Sequence, residues 1–354
     1  MNIQLEVNNV SMAYAGKAVV EGISFQLAKG DIGCLLGPSG CGKTSLLRAI
    51  AGFEPIASGV IKLDGEPVSS PEAMASPEGR RVGMVFQDFA LYPHLSVEKN
   101  AAFGLRGWSS SERKNRVNSL LELVGLQGEG RRYPHQLSGG QQQRVALIRA
   151  MAPRPNILLM DEPFSGMDTD LREQLAREVR EILKRDGITA ILVTHDQMEA
   201  FAMADVIGVL GEGKLRQWDS GYNLYHQPAD RFVADFIGQG AMLSGQVLDD
   251  GCISTSLGVI ENRENILTGK GEIELLIRPD DIVHDDDSPL QLEVVSRAFR
   301  GAEYLYTLGL EDGSQVLCMV QSHHDHAIGE RIGVRLDVDH LVIMSNGGGH
   351  HLDV

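Results

Sequence analysis

Long apolar runs are missing from this 354-residue chain. The longest, such as Ile157 to Met160 and Ile188 to Val193, fall far short of the roughly 20 residues a helix needs to cross a bilayer. A helical membrane span is therefore excluded. Also missing is a basic segment leading into an apolar stretch at the start: MNIQLEVNNVSMAY carries acidic and amide side chains early. No secretory signal is read there, and the protein is expected to stay in the cytoplasm. Cysteine is scarce. Cys34, Cys41, Cys252 and Cys318 stand alone without CxxC spacing, which argues against a zinc site and a disulfide framework and predicts reduced, mostly structural thiols. Positive charge is in deficit, with 32 Lys and Arg against 48 Asp and Glu for a net charge of −16. Such a field repels nucleic acid and anionic lipid. Any phosphate the chain binds must be held by local geometry.

What is present is the composition of a globular protein, 43% hydrophobic and 23% charged, in a length that exceeds one ordinary domain. From Met1 to about Asp235 apolar strand-like runs alternate with helical patterns. After Phe236 the chain turns to short β-rich segments punctuated by Gly and Asp. This shift sets the expected domains at 1–235 and 236–354. In the first, Ile32 to Leu36 reads as a buried strand and Lys43 to Ala51 as a helix. A second helix is expected from about Ser111 to Val124, stopped by Gly125. A third runs from Thr169 to Asp186, with Leu171, Leu175, Val179, Ile182 and Leu183 on one face and Asp168 or Thr169 as its cap. Such alternation implies an α/β sheet with helices on its faces. In the second domain Leu243 to Leu248, Glu272 to Ile277, Leu292 to Ala298, Tyr304 to Leu310 and Ile332 to Leu336 read as strands of a small antiparallel, OB-like barrel. Gly347 to His351 has nothing to bury and is expected to fray.

Gly37-Pro38-Ser39-Gly40-Cys41-Gly42-Lys43-Thr44 satisfies the phosphate-loop pattern GxxxxGK[ST] at every required position, between a strand and a helix as the motif demands. Its glycines let backbone N–H groups curl around phosphates, and the following helix presents its positive dipole end. Lys43 is expected to reach the β- and γ-phosphates of ATP, and the Thr44 hydroxyl to ligate Mg²⁺. Ser45 belongs to the same nucleotide-binding set. Ile157 to Asp161 reads as a buried strand ending in a carboxylate, so Asp161 is expected to help hold Mg²⁺ through water. Glu162 follows, positioned to polarise the water that attacks the γ-phosphorus. His195 comes directly after the apolar strand Ile188 to Thr194, at a strand end where ligands of open α/β sheets collect. It is expected to touch the γ-phosphate and orient that water.

Leu137-Ser138-Gly139-Gly140-Gln141-Gln142-Gln143-Arg144 closely resembles the signature sequence of ABC transporter ATPases. Physically it is a second anion site, a helix opened by Ser138, Gly139, Gly140 and Gln141 whose N–H groups can face a phosphate unobstructed. A capped helix start explains Ser and Gly but not the whole string. The resemblance implies a P-loop NTPase fold with a helical subdomain, and a head-to-tail homodimer with two ATPs between the phosphate loop of one copy and the signature of the other. It covers about 235 residues. Within it, Tyr14 matches the aromatic that stacks on adenine, an interaction that suits a flat purine. Gln87, after strand-like Val82 to Phe86, matches the loop glutamine that contacts Mg²⁺ or water, and the adjoining Phe89 to Asn100 would meet the membrane partner. Ser165-Gly166-Met167-Asp168 stands where the family has its dimer-contacting loop, commonly Ser-Ala-Leu-Asp; the Asp is kept, while Gly and Met depart from the pattern.

The C-terminal part resembles the OB-like (TOBE) regulatory domain appended to importer ATPases of the maltose, polyamine, sulfate and ferric-iron type. Arg132-Tyr133-Pro134-His135, Gln227-Pro228-Ala229-Asp230 and Leu276-Ile277-Arg278-Pro279 look most like ferric-iron importers, which makes iron the leading cargo, with polyamine, thiamine, sulfate or sugar as alternatives. The resemblance further implies transmembrane permease subunits as partners, a periplasmic or extracellular solute-binding protein acting indirectly, and a peripheral position on the cytoplasmic face of the plasma membrane. His323, His324, Asp325 and His326 carry metal-ligating groups, but adjacent residues do not easily converge on one ion, so a solvated loop between strands is expected, with a regulatory metal site as the alternative. Two other function classes compete. A soluble ABC ATPase acting on nucleic acid or ribosomes would carry paired cassettes or a coiled-coil insertion, and an OB-like domain binding single strands would need aromatics and basic residues. A small-molecule kinase would not need the signature together with the Asp161-Glu162 pair.

Overall fold

The computed structural model describes residues 2–167, 169–260, 271–338, 340–345 and 348–353. Two compact units, Met1–Gly221 and Tyr222–Val354, divide the chain. The first runs β1 (Ile3–Tyr14), β2 (Lys17–Ala28), β3 (Ile32–Leu36), α1 (Lys43–Ala51), β4 (Ser58–Leu63), β5 (Glu66–Ser69), β6 (Val82–Val85), α2 (Val97–Ala102), α3 (Ser110–Leu123), α4 (Gly139–Met151), β7 (Ile157–Asp161), α5 (Thr169–Asp186), β8 (Ala190–Thr194), α6 (Gln197–Met203), β9 (Val206–Gly211) and β10 (Lys214–Asp219).

β3, β7 and β8 are buried at every residue. Unbroken apolar strands of this kind belong to a parallel sheet covered on both faces, and they form the centre of a six-stranded sheet in the order β10-β9-β3-β8-β7-β6. All its pairings are parallel except β10 against β9. Register then decides where the chemistry lies. Leu36 is level with Thr194, and Asp161 with Val193. The residues that leave β3, β7 and β8 therefore emerge side by side at the carboxyl edge of the sheet, where α/β folds hold ligands. A second, antiparallel sheet, β2-β1-β4-β5, packs its Leu5, Val7, Ile23 and Ile61 into one core with Leu46, Leu47 and Ile50 of α1. Each fully buried side chain of this size contributes about 1.5–3 kcal/mol relative to exposure. On α5, Leu175, Val179, Ile182 and Leu183 are buried as the periodicity implies, whereas Leu171 is exposed. The Asp168 or Thr169 cap lies outside the described side chains.

The second unit continues with α7 (Gly221–His226), α8 (Arg231–Ile237), β11 (Ala241–Val247), β12 (Ile253–Thr255), β13 (Gly258–Ile260), β14 (Glu272–Ile277), β15 (Ile282–His284), β16 (Gln291–Phe299), β17 (Glu303–Gly309), β18 (Gln315–Gln321), β19 (Arg331–Leu336), β20 (His340–Ser345) and β21 (Gly348–Asp353). Within the second unit, buried Arg278 donates to the carbonyls of Tyr225, Ala234, Gly238 and Gln239 and so ties the short helices to the β-rich part. Five strands in the order β15-β19-β16-β17-β18 make a nearly closed, OB-like barrel; the Cys318 thiol of β18 donates to the Ile282 carbonyl of β15 at 3.1 Å, joining the two ends. The expected strand set differs in membership. β11 and β14 belong to a separate antiparallel sheet, β13-β12-β11-β14-β20-β21, while β15 and β18 complete the barrel. Of the tail expected to fray, Gly347 lies outside the described residues, and Gly348–Asp353 pairs with His340–Ser345. Backbone pairing needs no large side chain, which is why Gly-rich sequence gave no signal for it.

Candidate functional site

The phosphate loop joins β3 to α1. Gly42, the N-cap of α1, has φ 100 and offers no side-chain cap, so the first N–H groups of the helix stay open to an anion. A Cβ there would lie 2.8 Å from the Val19 carbonyl, and one at Gly37 would lie 2.3 Å from that of Leu210. Pro38, Ser39 and Gly40 are exposed, while Cys41 and Lys43 are buried. The Lys43 ammonium donates to the carbonyls of Gly37 at 2.8 Å and Pro38 at 2.9 Å. It thus fills the concavity of its own loop, where a phosphate oxygen would replace those carbonyls. Thr44 and Ser45 are half-buried in the first turn of α1.

Thr44 Oγ1 donates to Asp161 Oδ1 at 3.0 Å. Burial pushes the Asp161 carboxyl above its ordinary range despite that hydrogen bond. A hydroxyl oxygen and a carboxylate oxygen, both hard donors, meet here, a donor set that suits Mg²⁺. Next along the chain, Glu162 sits at φ 44, in the left-handed region that costs a non-glycine residue energy; its N–H donates to the Val193 carbonyl at 3.0 Å. The strained backbone turns its carboxylate towards His195, with Nδ1 3.5 Å from Oε2. That is contact without a formed hydrogen bond, leaving room for both to engage a third group.

Further residues hold this arrangement, and the sequence reading passed over them. Thr194 accepts from the Asp196 N–H at 3.0 Å and donates to buried Glu199 at 2.5 Å. Arg172 bridges Asp196 and Glu199 at 2.7 and 3.4 Å. Asp196 caps α6 through the N–H groups of Met198 and Glu199. Together they fix the loop that carries His195. Arg80, 2% exposed, donates to the carbonyls of Ala49 and Ile50 at 2.9 and 3.0 Å and so anchors the far end of α1. Asp205 accepts from the Ile32 N–H and is paired with Arg180 and Lys184, which fixes the start of β3. A polar residue between apolar strands was the only sequence signal for these.

The remaining expected residues are surface groups. Ser138 caps α4 in a reciprocal box: its hydroxyl accepts from the Gln141 N–H at 3.3 Å, and the Gln141 side chain accepts from the Ser138 N–H at 3.0 Å. A Cβ on Gly139 would touch nothing within 4 Å, and one on Gly140 would meet only Leu175 at 3.4 Å. Packing among the described residues does not demand glycine at 139. Tyr14 ends β1 and is 44% exposed, available for stacking. Gln87 follows β6, one strand over from β7, and is exposed. Asp168 lies outside the described residues.

A phosphate loop, a strand-end Asp-Glu pair and a histidine at one sheet edge define a P-loop ATPase, and the Ser138 helix start is a second helix N-terminus at the surface. A sequence model described as "ABC transporter" matches residues 20–165, and one for the TOBE domain matches residues 275–344. The Fe(3+) ions import ATP-binding protein of Streptomyces avermitilis is 39% identical over 98% of this chain and 99% of its own length. The putrescine transport ATP-binding protein of Escherichia coli K12 is 36% identical over 96% of this chain and 95% of its own. Among solved structures, cbiO1 from Clostridium perfringens, described as part of an ABC transporter complex, matches with a TM-score of 0.58 and 28% identity over 62% of this chain and 89% of that one. The chain belongs to the ABC transporter ATPases: it binds ATP and hydrolyses it.

Proposed function

We propose that this chain is the motor subunit of an ABC importer, acting as a homodimer on transmembrane permease subunits at the cytoplasmic face of the plasma membrane, with ferric iron as its cargo. No helix among the described residues is long and apolar enough to cross a membrane, in keeping with a peripheral subunit that needs a membrane partner. The observation that carries the reading is the register that brings Gly37, Glu162 and His195 to one sheet edge, together with an exposed signature helix start whose Gly139 is unneeded by its own chain. A glycine kept clear of side chains suits an anion delivered from outside, here the γ-phosphate bound by a second copy. Relatives named for Fe(3+) import and for putrescine transport both match along nearly the whole chain. Iron is preferred on the stretches at 132–135, 227–230 and 276–279, and polyamine is the alternative.

In this reading Tyr14 stacks on adenine and the loop N–H groups of residues 39–45 hold the β-phosphate. Lys43 exchanges its two carbonyl partners for β- and γ-phosphate oxygens. Thr44 and Asp161, with Gln87 from the neighbouring strand end, would hold Mg²⁺, which would neutralise charge developing on the phosphates. Glu162 accepts a proton from the attacking water, and His195 orients that water and donates to the γ-phosphate. Ser138, Gly139, Gly140 and Gln141 of the second copy close the site.

The test is to recover the tagged chain from detergent-solubilised native membranes, identify copurifying proteins, and assay ATP hydrolysis with and without candidate solute-binding proteins. Recovery of a permease with cargo-stimulated hydrolysis is expected. A soluble ATPase without a membrane partner would overturn the importer reading.

A further inference from the structure

The segment at 323–326 is solvated only in part: His323 and Asp325 are exposed. His324 and His326 are half-buried and turn inward against His284 of β15, with ring centroids 4.6 and 5.0 Å from it. One ligating nitrogen from each of the three lies within 4.8 Å of the others. Asp325, between them, points elsewhere and pairs with Arg297. Convergence fails for neighbours in the chain but succeeds here because the third ligand arrives from a different strand.

The surroundings are those of a ligand set rather than a chance pile of rings. The Tyr306 side chain, 0% exposed, pins the segment at both ends: its hydroxyl donates to the His324 carbonyl at 2.8 Å and accepts from the His326 N–H at 3.0 Å. His326 Nδ1 lies 2.9 Å from Glu330 Oε1, and the other Glu330 oxygen accepts from the Ala327 N–H at 2.8 Å. A carboxylate bound to one ring nitrogen keeps the proton there, so the other presents its lone pair. That other atom, His326 Nε2, is buried and has no hydrogen-bond partner among the described residues, and the same is true of His284 Nε2. An Asp286 oxygen stands 3.3 Å from His284 Nε2, outside hydrogen-bond geometry, on a side chain 77% exposed. Two donors sharing a tetrahedral ion at about 2.0–2.1 Å are themselves about 3.4 Å apart, so this oxygen is positioned as a fourth ligand.

We infer that His284, His324 and His326 form a site for one divalent late first-row metal ion, of the Zn²⁺ class, with Asp286 or water as fourth ligand and Glu330 orienting His326. Imidazoles suit Zn²⁺, Co²⁺ and Ni²⁺, whereas Mg²⁺ takes oxygen ligands. The site is therefore chemically distinct from the nucleotide site, and the inference stands independently of the importer reading. Bound metal ties β15 to the loop between β18 and β19, clamping the closure of the barrel.

The experiment uses the full-length chain, stripped with chelator and free of nucleotide, titrated with Zn²⁺ against a chromophoric chelator, and with Co²⁺ read by visible absorption. Expected are one tight equivalent per chain that millimolar Mg²⁺ does not displace, and an intense tetrahedral Co²⁺ band. His284→Ala and His326→Ala should each abolish stoichiometric binding. Glu330→Gln, at a largely exposed position and with Tm unchanged, should weaken binding by about 10–100-fold. His350→Ala with His351→Ala should leave it intact. The inference is overturned if no stoichiometric binding appears, if Glu330→Gln binds as wild type does, or if binding survives His284→Ala and disappears with the 350/351 pair.

Discussion

In the first compact unit the groups that meet at one point come as short strings, Gly37 to Thr44 and Asp161-Glu162, because each string is the exit from a buried parallel strand. In the second, the groups that meet are His284, His324 and His326, brought together by an antiparallel barrel whose ends close on each other. Parallel strands send all their carboxyl ends to one edge, so local motifs suffice there. An antiparallel barrel alternates its ends, and convergence depends on which loops face each other. The two units still share one device. Arg80 and Arg278 are 2% and 3% exposed, and each spends its guanidinium on backbone carbonyls rather than on a carboxylate. Burial depresses the pKa of both, and both fasten helices to their unit.

The largest expected effect belongs to the strand-exit chemistry. Glu162→Gln should lower ATP turnover by about 10²–10⁴-fold while nucleotide binding persists, measured by phosphate release and equilibrium binding; turnover near wild type would remove Glu162 from the role of base. Lys43→Ala should act on affinity instead, weakening ATP binding by about 2–5 kcal/mol, the range for truncating one partner of a buried charge pair, read by calorimetry. Unchanged affinity would count against the loop as the phosphate cradle.

The shared arginine device is separable by unit. Arg80→Ala and Arg278→Ala should each cost about 3 kcal/mol by leaving buried carbonyls unpaired. Only the first should also weaken ATP binding, because only Arg80 anchors α1. Differential scanning calorimetry with and without nucleotide checks this, and equal loss of affinity in both would erase the contrast. The smallest effect is pH-dependent. Burial opposes ionisation of Asp205, but hydrogen bonds from Lys184, the Ile32 N–H and Arg180 outweigh it and hold its carboxyl below the usual range. Its contribution is complete above the unfolded value of about 3.9 and is lost as pH falls through the lower folded value. Asp205→Asn should therefore cost about 1–2 kcal/mol at neutral pH, a deficit that shrinks to nothing in acid; urea unfolding at several pH values measures it.

Much of the first unit was legible in the chain. A loop that must wrap a phosphate needs glycines where side chains collide, and a strand buried on both faces must be apolar throughout, so β3, β7 and β8 and the loop at 37–44 announce themselves. The β-rich unit was legible as a class, yet β15 and β18 went unread: β15 has three residues, and β18 alternates too mildly to stand out from its neighbours. Thr194, Glu199 and Arg172 went unread for another reason. Each is an ordinary polar residue: Thr194 bonds to Asp196 and Glu199 close by, and what ties that loop down is Arg172, arriving from a different helix.

The sequence by itself determined the phosphate loop, the carboxylate pair, the signature and the two-part organisation, because these depend on residue type at short fixed spacing. Only the tertiary structure decided that Gly37, Glu162 and His195 share an edge, that two buried arginines fasten the helices, and that His284 joins His324 and His326. Those depend on strand order and register, which emerge from packing between segments and leave no local trace.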